Sequence, residues 1–261
     1  LTLNFYRWVL VWFLILPFTY KEILIKIPEI KKNIGLLLIL GITGVSIFNS
    51  VVYFALNFTQ VINAVLMISI IPVVVIFLSS ILKIEKFNLF QLLGLIVSLT
   101  GVLAIISQAE LNKILSLVFN KGDLWMLVAV LSWATYSTLL KKRKLPLKGL
   151  SLLQILITIG LFFLLPQYLG EHFIGKEVNF NKAFFLILFF VAIFPSIFAF
   201  YAWNKSIELI GANRSSIFLH LMPLFGAIMA VVIFEEKFEI YHLIGAAFIV
   251  TGIYLSNRKN Q

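Results

Sequence analysis

Nine apolar stretches, separated by short polar connectors, leave this chain very few structures to adopt. They run at 3–20, 34–55, 61–82, 89–107, 122–140, 149–169, 183–205, 213–234 and 240–257. At a rise of 1.5 Å per residue, a helix needs about 20 apolar residues to cross a hydrocarbon core of about 30 Å. Most of the nine are close to that length, so each is read as a membrane-spanning helix. Composition agrees. The 261 residues are 61% hydrophobic and 12% charged, whereas a soluble domain is roughly half apolar and a quarter charged. Nine spans and their loops leave no room for a separate soluble domain, and the lipid bilayer is the expected surrounding.

The net charge of +10 would suggest a nucleic-acid partner in a soluble protein. In a polytopic one it reflects Lys and Arg held in cytoplasmic loops, so no nucleic acid is expected. Cysteine is absent, which excludes disulfides, thiolate metal sites and cysteine nucleophiles. The connectors carry Lys, Glu and Asn clusters at 21–33, 83–88, 141–148 and 171–182. The longest central connector, 108–121, contains an amphipathic stretch from Leu111 to Phe119 that suits the membrane interface.

The chain also repeats itself. Pro72, Glu85, Lys86, Phe87, Gly94, Thr100 and Gly101 recur at Pro223, Glu236, Lys237, Phe238, Gly245, Thr251 and Gly252, each 151 residues on. In both copies a mid-span proline precedes a Glu-Lys-Phe connector, and the next helix carries two glycines seven residues apart. The two repeats are placed at 1–107 and 122–257. The same offset puts the counterpart of the helix at 122–140 before Leu1, so the expectation is five helices per repeat with the first helix of the first repeat absent. Five is odd, which sets the halves in opposite orientations. Loop charge gives the sidedness. Of the 21 Lys and Arg, 15 fall on the side of the 21–33 connector and 6, Arg7 among them, on the other. The positive-inside rule makes the first side, and with it the C-terminus, cytoplasmic.

Inverted repeats with broken helices at mid-membrane are the mark of secondary transporters. Pro72 and Pro223 each remove a helical hydrogen bond, freeing the carbonyls of Ile68 and Leu219. Such backbone persists only inside protein or against a wet cavity. Ser69 and His220 stand beside the two prolines at paired positions, and an ionisable group in mid-span is a functional candidate by default. Structural readings compete with these: a plain kink for the prolines, and a helix-to-helix hydrogen bond for His220. Asn49, Tyr53, Trp133, Tyr136 and Asn204 are further mid-span polar and aromatic groups suited to a cavity wall. The paired glycines suggest close helix packing, and Glu85 and Glu236 read as solvated helix ends. No Asp or Glu falls in the middle of a span. No motif calls for a catalytic set, a metal or a cofactor.

The stretches at 63–106 and 211–255, with their mid-helix proline, a glutamate 13 residues on and paired glycines, resemble the EamA repeat of the drug/metabolite transporter superfamily. The resemblance implies ten helices in two inverted repeats, alternating access, and a cavity lined by helices one, three, four, six, eight and nine. It also implies transport of small metabolites, often export of amino acids. Met222 stands where such proteins often carry Glu. The expected protein is therefore a permease and not an enzyme. It would move a small neutral or zwitterionic metabolite across a bacterial inner membrane, and a homodimer is allowed. Its substrate contacts would be Ser69 and His220, with Trp133, Tyr136 and Asn204 as walls. The rivals are a membrane-embedded enzyme, which would want clustered ionisable groups at one interface, and a channel, which would want a continuous polar stripe.

Overall fold

The computed structural model of the protein describes residues 1–110, 112, 118–142, 146–173, 180–233, 235 and 237–258. Among these residues, nine helices are long and apolar enough to span a membrane. They are α1 (Thr2–Ile25), α2 (Ile34–Ala55), α3 (Val61–Ile81), α4 (Leu89–Ile106), α5 (Lys121–Lys141), α6 (Gly149–Phe173), α7 (Lys182–Ile210), α8 (Ala212–Ile233) and α9 (Ile240–Asn257). A short helix, Ile27–Lys32, joins α1 to α2. Residues 111 and 113–117 of the amphipathic stretch expected at 111–119, and the second connector glutamate, Glu236, lie outside the described residues.

The Asn-rich connectors become helix caps. Asn88 Oδ1 accepts from Gln91 N at 2.8 Å while Gln91 Oε1 accepts from Asn88 N at 3.1 Å. Asn120 accepts from Gly122 N and Asp123 N in the same way. Each cap satisfies donors that the first turn of a helix leaves free. Many large apolar side chains point outward: Phe13, Phe18, Phe77, Phe162 and Phe190 are each more than half exposed. In water that surface would drive association, whereas in lipid it is the natural exterior. The chain is a multi-pass membrane protein.

The 151-residue repeat is visible in the backbone, and it reaches further than the sequence identities. Helices α4 and α9 begin at Leu89 and Ile240 and end at Ile106 and Asn257, all at that offset. α2 contains a π-helical stretch over Gly41–Ile47, and α7 contains one over Ala192–Phe198, again at that offset. The helix breaks also pair: α3 interrupts at Ser69–Ile70 ahead of Pro72, and α8 tightens to a 3₁₀ turn over Phe218–His220 ahead of Pro223.

α4 and α9 pack on each other across the junction of the two halves. A Cβ on Gly94 would strike the carbonyl oxygen of Gly252. One on Gly252 would lie 2.5 Å from the Gly94 carbonyl, and one on Gly101 2.6 Å from that of Gly245. Contacts that pair an early residue of one helix with a late residue of the other require antiparallel axes. Equivalent helices of the two repeats therefore run in opposite directions, and the repeat is inverted. Only glycine lets the backbones approach so closely, as expected where packing has to replace the hydrophobic effect.

Candidate functional site

Three centres hold the buried polar groups that the sequence singled out, together with Arg7. The first is aromatic and lies between α2, α5 and α7. Trp133 is the hub: its ring centroid is 4.5 Å from Phe48, 5.2 Å from Tyr136, 5.3 Å from Phe200 and 5.5 Å from Trp203. The Tyr136 hydroxyl donates to Asn204 Oδ1 at 2.5 Å, and Trp203 Nε1 donates to Ser137 Oγ at 3.1 Å. The π-helical stretch of α2 sets this geometry. It carries Gly44 against the Tyr136 ring, where a Cβ would lie 2.5 Å from Cδ2, and it offers the Thr43 carbonyl to Ser132 Oγ at 2.8 Å. Such π-helical irregularities often accompany functional sites. Trp133 Nε1 and Asn204 Nδ2 are buried without a hydrogen-bond partner among the described residues. Unpaired donors inside a membrane protein cost free energy.

The second centre lies where the two broken helices meet. His220 is fully buried. Its Nε2 lies 2.9 Å from the Ser69 carbonyl oxygen, and its Nδ1 lies 2.7 Å from Ser98 Oγ. A carbonyl can only accept, so Nε2 carries the proton, and Nδ1 shares the Ser98 hydroxyl proton with the Leu95 carbonyl, 3.1 Å from the same Oγ. The two repeat-paired positions, 69 and 220, thus bond directly to each other across the inverted halves. The carbonyl His220 takes is that of Ser69, one residue after Ile68, because α3 opens over Ser69–Ile70. In this conformation both ring nitrogens of His220 are engaged by the protein.

The third centre involves a residue that the chain's linear order disguises. Arg7, counted with the loop cations by position, is only 4% exposed and sits one turn inside α1. Its Nη2 donates to Asn4 Oδ1 at 2.8 Å and its Nη1 to the Tyr53 hydroxyl at 3.2 Å, while its guanidinium carbon lies 4.8 Å from the Trp8 ring centroid. Asn4 Nδ2 in turn donates to Ser50 Oγ at 3.1 Å. Among the described residues no carboxylate forms an ion pair with it. Asn49 is half-buried on the same turn of α2, with Nδ2 3.5 Å from the Gly44 carbonyl.

Tyr53 and Asn204 connect these centres to opposite ends of the bundle. Tyr53 lines a cavity of about 280 Å³ with Phe54, Asn57, Gln167 and Glu171, on the face where α1 begins. Asn204 lines a cavity of about 210 Å³ with Leu140, Lys141 and Glu208, on the other face. Phe48, Trp133 and Tyr136 form a run of ring contacts that ends on Asn204. The sequence had flagged Tyr53, Trp133, Tyr136 and Asn204; the structure brings the last three together and sets Tyr53 beside Arg7.

One connector departs from its expected role. Glu85 is not a solvated helix end: its Oε1 accepts from Ala212 N at 3.0 Å and its Oε2 from Asn213 N at 2.9 Å. A carboxylate from the first repeat thereby caps the first turn of α8 in the second, where free N–H groups and the helix dipole favour a negative charge. Gly211, at φ +89°, makes the tight turn from α7 that presents those N–H groups.

The model of the EamA-like transporter family matches residues 1–107 and 120–258. The chain is 27% identical over 232 residues to an uncharacterized transporter, YyaM, of Bacillus subtilis (strain 168), covering 88% of this chain and 75% of that protein. It is 29% identical over 223 residues to an uncharacterized transporter of Archaeoglobus fulgidus, covering 85% and 76%. A crystal structure of another protein superposes with a TM-score of 0.72 at 17% identity, over 97% of this chain and 84% of that one. That likeness concerns the fold.

Proposed function

This chain belongs to the EamA-like transporter family, and from that premise we propose that it moves a small metabolite, such as an amino acid, across a cytoplasmic membrane by alternating access. The observation that carries the reading is the pairing of inverted, broken helices with two cavities on opposite faces and an aromatic layer between them. Two halves of opposite orientation can each adopt the shape the other holds, so a cavity open to one face implies a counterpart open to the other.

In this mechanism Trp133, Tyr136 and Asn204 form the wall the substrate meets from one side, and Tyr53 with Asn49 belongs to the other. The His220–Ser69–Ser98 bonds tie the broken helices at the joint about which the halves rock, and Pro72 and Pro223 keep those helices from closing into continuous α-helix. The basic connectors support a cytoplasmic C-terminus in a bacterial membrane by the positive-inside rule. Counterflow in proteoliposomes tests the reading. Uptake of a labelled amino acid should saturate and accelerate when the same amino acid is trapped unlabelled inside. Flux that rises linearly with concentration and ignores the trapped pool would mean a channel, and chemical conversion of the solute would mean an enzyme.

A further inference from the structure

A buried cation without an anion is an unfinished electrostatic arrangement. Burying an isolated charge in a low-dielectric interior costs several kcal/mol unless an opposite charge or a full set of hydrogen bonds offsets it. Arg7 is 4% exposed and has neutral neighbours: Asn4, Tyr53 and the face of Trp8. A guanidinium has five N–H donors, of which two are used, and the Nε donor is buried without a partner among the described residues. Trp8 Nε1, fully buried beside it, is likewise unpartnered. Two unpartnered buried donors therefore sit on adjacent residues. Tyr53, whose hydroxyl accepts from Arg7, also lines the cavity of about 280 Å³, so the guanidinium lies one hydrogen bond away from space a solute can enter; Glu171 in the same lining accepts from Thr2 N and Oγ1.

We propose that Arg7 is the anchor for the carboxylate of the transported solute, with Asn4, Tyr53 and Trp8 orienting its guanidinium. This rests on the transport reading and narrows it to small solutes that carry one carboxylate. A planar guanidinium takes a carboxylate through two parallel N–H···O bonds. One buried positive charge balances one negative charge, whereas a phosphate carries about −1.5 to −2 and would leave an excess in the interior. The cavity holds roughly nine waters' worth of space at ~30 Å³ each, which suits an amino acid and not a nucleotide.

The test uses the full-length protein in phosphatidylcholine nanodiscs. Thermal stability and tryptophan fluorescence are followed with the twenty L-amino acids and short-chain carboxylates, the primary amide of each, and inorganic phosphate. At least one carboxylate should bind and raise Tm, while its amide binds at least tenfold more weakly. Arg7→Gln should abolish that binding, and Arg7→Lys, which keeps the charge but not the fork, should weaken it tenfold or more. The amide comparison needs no variant, so a misfolded Arg7→Gln does not blunt the test. Absence of carboxylate binding, equal binding of the amide, unchanged binding by Arg7→Gln, or protection by phosphate or added phosphatidylglycerol alone would each overturn the assignment. Saturable counterflow that survives in Arg7→Gln would sink this proposal and leave transport standing. Binding without counterflow in the wild type would sink transport and leave the anchor standing.

Discussion

Tyr136 serves the site in two ways, and they can be separated. Its ring packs between Trp133 and Gly44, while its hydroxyl donates to Asn204. Tyr136→Phe keeps the ring and strands Asn204 Oδ1, a change worth about 1 kcal/mol by the usual net value of such a bond. A double-mutant cycle with Asn204→Ala, read by thermal unfolding, should return a coupling of that order, and additive effects would show that the bond contributes nothing. His220→Ala removes the partner of the buried Ser69 carbonyl and the Ser98 hydroxyl, so about 1–3 kcal/mol of stability should be lost. An unchanged Tm would contradict the joint. Sequence singled out His220, Tyr136 and Asn204 because a polar group in an apolar run is conspicuous. Arg7 escaped because it lies so near the start of its run that linear position resembles a loop, and only the packing of α6 and α7 on α1, with Ser50 and Tyr53 reaching across from α2, shows it buried.

At the scale of elements, the repeat was legible wherever side-chain identity survives. The prolines mark the broken helices, and the glycine pairs mark close helix packing without saying that α4 and α9 are each other's partners. The π-helical stretches at Gly41–Ile47 and Ala192–Phe198 were not legible, because the two copies build them with different residues: Gly44 in one copy corresponds to Pro195 in the other. The Glu85 cap was missed for a related reason, since its partners are backbone N–H groups 127 and 128 residues away, which leave no mark on composition. Two outcomes follow. Gly94→Leu, placed against the Gly252 carbonyl, should prevent α4 and α9 from meeting and yield protein that aggregates on extraction, whereas a substitution to Leu at Gly35, which has open space around it, should not. Glu85→Ala should lower stability by about 1–2 kcal/mol, the usual value of a helix cap, in a thermal melt. Retention of full stability would show the α8 cap to be ornamental.

The whole molecule is two halves of opposite orientation, joined through α4 and α9, the His220–Ser69 bond and the Glu85 cap among other contacts, with the Tyr53 cavity on one face and the Asn204 cavity on the other. If that geometry supports alternating access, widening one cavity must narrow the other, because both changes arise from one rocking motion about the joint. The absence of cysteine in the sequence makes site-directed spin labelling straightforward. Paired labels at Asn57 and Gly170 span one cavity, and paired labels at Lys141 and Glu208 span the other. Pulsed electron–electron distance measurements on the two labelled proteins in nanodiscs, with and without a binding amino acid, test the central claim most directly. The prediction is two populations at each pair, with the solute shifting one pair towards longer and the other towards shorter distances. Cavities that widen together, or that move independently of each other, would contradict it.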